Sequence, residues 1–342
     1  MSSRSYGSLI VGMAMCALCA PVTAQFPATG VHDSAPGPGA GQVGGELYAG
    51  ESDDVGPQVA LATPAARVHV EAIGDMQLYH TSNMFLTEDS SYPSVTEQGS
   101  DVLLTSVDLA VAPDPVVMGE GDFQPRLGYR QQWYVFSRKA DPFSVPFGTS
   151  RNLDFYAQTL FMEAHYRYHR QWLFAGGVDW TELSFAHGDS NFYNEVVPRW
   201  SVQRFFALDD TRLFVAGYQG AYHATTADSQ SGEPAARNDR LDQSLFMNYT
   251  QSITPKLLVQ PYYQYKYTRY PHDFVNYSET SRHDNLHTVG TTVSYYVIPE
   301  ISLRAFASYD VNDSSAQESF TTRIYDYKKL DAGLGLNLNY RF

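Results

Sequence analysis

Apolar and polar residues alternate with period two along most of this chain. The pattern is cleanest in its last thirteen residues, LDAGLGLNLNYRF. Leu330, Ala332, Leu334, Leu336, Leu338, Tyr340 and Phe342 fall on one face of a strand. Asp331, Gly333, Gly335, Asn337, Asn339 and Arg341 fall on the other. Successive side chains of a strand point to opposite sides, so one face is wholly apolar and the other polar or bare. An edge strand in water is poorly served by such a face. A strand that closes a barrel in lipid requires it: apolar toward lipid, polar toward the lumen, aromatic at the interface.

The same alternation predicts twelve strands, at 67–80, 101–112, 122–137, 153–168, 171–185, 194–206, 211–224, 240–252, 256–270, 285–298, 301–312 and 327–342. In 256–270, Leu257, Val259, Pro261, Tyr263, Tyr265 and Tyr267 oppose Leu258, Gln260, Tyr262, Gln264, Lys266 and Thr268. In 122–137, Phe123, Pro125, Leu127, Tyr129, Trp133 and Val135 oppose Gln124, Arg126, Gly128, Arg130 and Gln132, with Gln131 as a polar intruder on the apolar face. Pro125, Pro198 and Pro261 each remove a ladder donor and predict bulges or bends. Connections alternate in length. His169-Arg170, Leu208-Asp209-Asp210, Thr254-Pro255 and Pro299-Glu300 are short and carry turn chemistry, while 81–100, 138–152, 186–193, 225–239, 271–284 and 313–326 are long and polar.

These elements predict an all-β fold: a single antiparallel up-and-down transmembrane β-barrel of about 12 strands over 67–342, closed by pairing of the last strand with 67–80. An even count puts both ends on one side. Beyond the leader there is no apolar run near twenty residues, so no membrane helix is expected, and a barrel satisfies every backbone group between strands. A weak repeat supports hairpin units: RNLDFYAQ, DRLDQSLF, DNLHTVGT and KKLDAGLG place Leu at 153, 241, 286 and 330. After that Leu, Asp242 and Asp331 are expected in the lumen near the outer mouth, whereas Asp154 and His287 fall on the opposite parity.

The front of the chain reads differently. Arg4, the apolar stretch Leu9 to Val22 and the small residues of Val22-Thr23-Ala24 predict a secretory signal over 1–24, cut ahead of Gln25. Residues 25–66 are rich in Gly, Pro, Ala and Ser, have neither period, and predict a disordered periplasmic arm. Cys16 and Cys19 both lie in the leader, so the processed chain is expected to have no disulfide or thiolate chemistry. The formal net charge is −14, which argues against nucleic acid as a partner. Twenty-five Tyr among 342 residues suit a membrane–water interface, with ring in lipid and hydroxyl in water.

Parity also sorts the charges. Arg67, Glu71, Asp75, Asp108, Arg126, Arg130, Glu163, Arg167, Asp179, Arg199, Arg240, Asp242, Lys266, Arg304 and Asp331 are expected to line the lumen. Rings of charge tune which solutes pass a pore; opposite charges can also pair across a narrow lumen and fill it. Tyr134, Phe161, Tyr262 and Tyr296 share the inward parity and could stack on sugar rings or simply pack.

No phosphate-binding Gly loop, HExxH, CxxC or GxSxG is present. His80, His165, His187, His223, His272, His283 and His287 are scattered without metal-ligand spacing, so neither metal nor cofactor is expected. The sharpest catalytic alternative is a lipid hydrolase on the outer wall, with His287 facing lipid and Ser281 and Asn285 near in sequence.

The segment QLYHTSNMFLTE resembles an element found early in a family of bacterial outer-membrane β-barrel porins, matching at Tyr79, Ser82, Asn83, Met84 and Phe85. The ending NYRF also resembles the carboxy-terminal assembly signal of outer-membrane barrels, with Tyr340 and Phe342 as its residues. The resemblance covers roughly 67–342 and carries over no catalytic residue. It implies an outer-membrane barrel recognised by the assembly machinery through its last strand, in some members linked to polysaccharide export or envelope biogenesis. Twelve strands are fewer than many general porins have, which disfavours a wide sieve. The expectation is therefore a passive channel or export pore for small polar solutes or saccharides; the rivals are the lipid hydrolase and a structural or adhesive barrel with a filled lumen.

Overall fold

In the computed structural model, residues 68–83, 99–137, 154–186, 191–225, 239–273, 280–315 and 326–342 are described. The expected signal and arm, Arg67, Met84, Phe85 and His187 lie outside them. The elements are β1 (Val68–Thr81), β2 (Ser100–Pro113), β3 (Val116–Met118), β4 (Gly121–Phe136), β5 (Phe155–Tyr168), β6 (Trp172–Phe185), β7 (Asn191–Asp209), β8 (Arg212–Thr225), β9 (Arg240–Thr254), β10 (Leu257–Asp273), β11 (Thr280–Ile298), β12 (Ile301–Ser314) and β13 (Tyr327–Arg341).

Each strand pairs antiparallel with its sequence neighbours, except that β2 pairs with β4 across the short β3. The sheet closes where β1 meets β13, from Glu71↔Arg341 to Thr81↔Asp331. Two further bonds seal that seam: the Phe342 N–H donates to the Val70 carbonyl at 2.9 Å, and the Val70 N–H donates to Phe342 at 3.2 Å. The result is a closed barrel of twelve strands plus one extra strand, as the alternation predicts. Carried strand by strand around the wall, the registers accumulate a shear of about 18 residues. For twelve strands this gives a tilt of roughly 45° and a Cα cylinder about 26 Å across.

The outer surface is apolar. Leu334 is 66% exposed and Met162 61%, with Leu78, Leu109, Leu160, Leu245, Val289 and Leu303 around the same belt. The inner face is mostly polar and buried: Ser106, Gln132, Glu163, Ser244, Gln264, Thr288, Asp310 and Asn337 among others. A closed sheet that is apolar outside and polar inside is the architecture of an outer-membrane β-barrel, in which short turns face the periplasm and long loops the exterior. Tyr hydroxyls also satisfy stray polar groups on the lipid face. Tyr129 donates to Gln131, the intruder in β4, at 2.6 Å, and Tyr249 repeats the arrangement with Gln251 at 2.8 Å.

Several details depart from expectation. β3 was not anticipated, because three residues are too few to establish a period. β7, β10 and β11 run longer than predicted, extending the wall into segments read as loops or turns. Two of the three prolines leave the register of their strands unshifted. Pro125, Pro198 and Pro261 each pair in register on one side, with Ala164, Val178 and Thr291. On the other side the ladder lacks rungs there, but its register continues unchanged past Pro198 and Pro261. At these two a missing N–H removes one bond without inserting a residue, whereas opposite Pro125 the facing chain gains one, since Val111 and Val116 face Leu127 and Phe123. The His169-Arg170 connection is a two-residue turn with both φ values positive, 49° and 58°, the geometry that matches strand twist in a hairpin.

Gly177 fixes how the inner wall packs. It pairs with Glu163 on one side and Arg199 on the other. A Cβ there would sit 2.5 Å from the Met162 carbonyl oxygen and 2.9 Å from the Glu163 Cβ. Gly177→Val is therefore expected to cost about 1–3 kcal/mol through overpacking. The check is the temperature at which the folded band is lost in a heat-modifiable electrophoresis assay, which should fall markedly relative to Ala175→Val.

Candidate functional site

The inner wall carries its charges as lateral ladders. Arg126 on β4 reaches Glu71 on β1 at 3.0 Å and Glu163 on β5 at 3.0 Å. Glu163 is shared with Arg199 on β7 at 2.6 Å, and Arg199 also donates to Asp179 on β6 at 2.9 Å. Arg130 pairs with Asp108 at 2.8 Å. The Glu163–Arg199 link passes over Gly177, whose missing side chain leaves room for it. The aromatic contact between Tyr79 and Phe306, 6.0 Å between ring centres, crosses Gly333 in the same way, and Arg304 reaches Asp75 beside Gly335. Arg126 and Arg130 both lie over the Phe161 ring, at 5.4 and 5.8 Å from its centre.

A second set lies nearer the loop end. His223 sits between Glu195, at 2.8 Å, and Asp242, at 3.5 Å. Arg240 approaches the same two carboxylates, Lys266 lies 3.8 Å from Asp242, and the Tyr193 hydroxyl donates to Glu195 at 2.6 Å. Further round, Lys329 bridges Asp310 at 3.1 Å and Asp331 at 2.8 Å, and Thr288 donates to Asp310. Among the described residues no group of His, Cys, Asp and Glu is arranged to hold a metal ion.

Every lumen residue expected by parity that falls within the described residues is on the inner wall: Glu71, Asp75, Asp108, Arg126, Arg130, Glu163, Arg167, Asp179, Arg199, Arg240, Asp242, Lys266, Arg304 and Asp331. Thirteen of the fourteen are brought into the ion pairs above, and Arg167 lies near the turn end of β5. Glu195, His223, Asp310 and Lys329 were missed as lumen residues, although parity would have found them. Glu195 stands four residues before Arg199, and Lys329 two before Asp331. Tyr340 and Phe342 lie on the outward face at the turn end, 41% and 74% exposed, with rings 6.3 Å apart.

The inner face is not uniformly polar. Toward the loop end, β2 to β6 present Val102, Leu104, Tyr134, Phe155 and Leu183 inward, each at most 4% exposed. Tyr134 stacks on Phe155 at 4.5 Å. Parity assigns these residues to the inside correctly, but it says nothing of whether an inner position is wetted.

The hydrolase arrangement does not assemble. His287 does face outward, but its Nδ1 is 2.8 Å from the Tyr263 hydroxyl, and Asn285 accepts from Tyr265 at 2.7 Å. Ser281 is six residues along the same strand, about 20 Å away at strand rise. These residues form part of an aromatic belt at the loop end of the apolar surface, with Tyr267 against His283.

No protein-family model matches the sequence, and no curated protein matches it either. Solved structures of similar shape include an outer-membrane channel from Pseudomonas putida F1, with a TM-score of 0.47 at 10% identity over 84% of this chain and 100% of that one. The β domain of the Bordetella autotransporter BrkA has a TM-score of 0.43 at 12% identity over 80% of this chain and 99% of that one. The NanC porin has a TM-score of 0.39 at 11% identity over 78% and 98%. Likeness at this level bears on no residue of this chain.

Because Glu163 is shared by two arginines, Glu163→Gln leaves one positive charge in excess on the wall. The expected result is a two- to threefold shift of the K⁺/Cl⁻ permeability ratio toward chloride, read from the reversal potential in a KCl gradient. A loss of about 1–3 kcal/mol of stability should accompany it, below the value for a dry ion pair because Glu71 and Asp179 remain as partners. An unchanged ratio would contradict the expectation that this ladder lines a pore.

Proposed function

We propose that this barrel is a porin-like channel of the bacterial outer membrane, through which small polar solutes, saccharides among them, diffuse passively. The observation that carries the proposal is the direction of the inner contacts. Each ion pair described above joins strands no more than two apart around the wall. None spans a cylinder about 26 Å across. Eight strands are just filled by their own side chains, so twelve, with charges held against the wall, leave space along the axis. Both signs of charge interleave, which favours weak ionic selectivity and suits neutral solutes. A role for Tyr340 and Phe342 in assembly fits their placement at the periplasmic end of the closing strand.

The lipid-hydrolase reading loses support from the pairing of His287 with a tyrosine in place of a serine. A structural or adhesive role would require a lumen bridged across its axis.

Liposome swelling tests the proposal. Vesicles carrying the full chain, and a variant lacking residues 25–66, are diluted into isotonic solutions of arabinose, glucose, sucrose and raffinose. Swelling should be fastest for arabinose and fall with solute size. No swelling with any of these solutes, in either protein, would overturn the channel.

A further inference from the structure

On the lipid-facing wall, Arg204 stands without a carboxylate partner among the described residues. It lies on β7 with the outward parity of Trp200 and Phe206, and it is exposed. It pairs in register with Trp172, the first residue of β6, which places it at the turn end of the apolar surface. Its guanidinium carbon sits over two rings, 5.1 Å from the centre of Trp172 and 4.7 Å from that of Phe206. Those rings continue an aromatic row, with Phe174 6.2 Å from Trp172 and Phe214 5.8 Å from Phe206. Carboxylates at this end are engaged elsewhere. Asp209 accepts from Arg212 at 2.6 Å and from the Thr211 hydroxyl at 2.8 Å. Glu120 accepts from the Tyr168 hydroxyl at 2.9 Å and faces His169 at 3.0 Å.

A cation at the lipid boundary is costly unless an anion or dipole answers it. Aromatic rings do so in part, through the flat face of the guanidinium. They leave its edge N–H groups, a planar fork that matches two oxygens of a phosphate. The aromatic girdle of a membrane barrel lies at headgroup level. At the turn end that level is the periplasmic leaflet, where the phosphates of phospholipids stand.

Further into the membrane, the same strands leave room for an acyl chain. Trp200 is four residues from Arg204, about 13 Å at strand rise. It pairs with Gly176 on β6 and with Gly220 on β8. Its ring covers Gly220, where a Cβ would meet it at 2.3 Å. Above Gly176 the space is open: a Cβ there would meet only the Arg199 carbonyl oxygen, at 3.9 Å. Gly176 pairs on its far side with another small residue, Ala164. A shallow depression therefore lies beside Trp200, on the membrane side of Arg204.

We infer that this β6–β7 face binds an anionic glycerophospholipid of the periplasmic leaflet. Arg204 holds the phosphate, Trp172 and Phe206 fix the guanidinium, and an acyl chain lies over Gly176. The site is on the outside of the wall and is independent of whether the lumen conducts.

The test is native mass spectrometry of the full chain in detergent, titrated with dioleoyl phosphatidylglycerol. A parallel titration uses dioleoylglycerol, which has the same chains and no phosphate. The wild type is expected to keep a phosphatidylglycerol under activation that strips further lipids, and to hold the diglyceride about tenfold less well. Arg204→Gln should weaken retention of phosphatidylglycerol about tenfold, and Trp172→Leu, which keeps the charge, several-fold. Arg212→Gln, in the adjoining turn, should leave it unchanged. Gly176→Leu fills the depression without touching Arg204; it should weaken retention several-fold, and it serves if Arg204→Gln fails to fold. No retained phosphatidylglycerol, equal retention of the two lipids, or equal retention by wild type and the folded variants at positions 204 and 176 would overturn the site. A loss in Arg212→Gln as large as in Arg204→Gln would also overturn it, because surface charge alone would then account for the binding.

Discussion

Charge placed inside a membrane barrel has to be neutralised close to where it sits, and in this protein that happens along the wall. Arg126, Glu163 and Arg199 are each shared or bridged between strands that are not nearest neighbours, and the strand between them yields space through a small residue. Gly177 between Glu163 and Arg199 is the clearest case. The closed sheet supplies the frame, since every strand but the three-residue β3 has two partners and the seam between β1 and β13 runs in register to the last residue. Given that frame, lateral pairing decides whether long charged side chains lie flat or project across the axis. A filled barrel and a conducting one could share strand count and composition; they differ in this choice.

The same device shapes the uncharged part of the lumen. Rings laid over glycines on the adjoining strand, as Phe246 and Tyr262 are, take little of the cross-section. Ionic ladders occupy β1 to β7, a mixed acid–base cluster the loop end of β7 to β10, and uncharged amide and aromatic side chains the wall just below it. The inner surface is thus divided into regions of different chemistry on different sides of the barrel.

Much of this was legible in the sequence. A period of two requires only that one face meet lipid, and that demand acts on every strand, so the twelve strands, their closure and the inward set from Arg126 to Asp331 follow from parity alone. What parity could not supply is distance around the wall. Nothing in the chain announces that Glu163 and Arg199, thirty-six residues apart, meet over Gly177, because that depends on register. Of the bulges expected at Pro125, Pro198 and Pro261, one formed, in the chain facing Pro125, while the register runs unshifted past Pro198 and Pro261, since losing a donor does not insert a residue. The burial of the inward apolar residues Val102, Leu104 and Leu183 was likewise hidden, because a polar lumen is a property of the average inner position.

The chain's cysteines, Cys16 and Cys19, both precede the expected cleavage site, so a single introduced thiol can report on the lumen without background. Ser201 faces inward on β7 beside the Arg199 ladder, and Leu245 faces lipid on β9. The most direct measurement is the single-channel current of Ser201→Cys in a planar bilayer before and after a charged methanethiosulfonate reagent, with Leu245→Cys as control. The account predicts an open current that falls in one step on modification of Ser201→Cys and is unchanged for Leu245→Cys. A folded barrel with no current, or a current indifferent to modification at position 201, would contradict the claim that wall-held charges leave a continuous aqueous path.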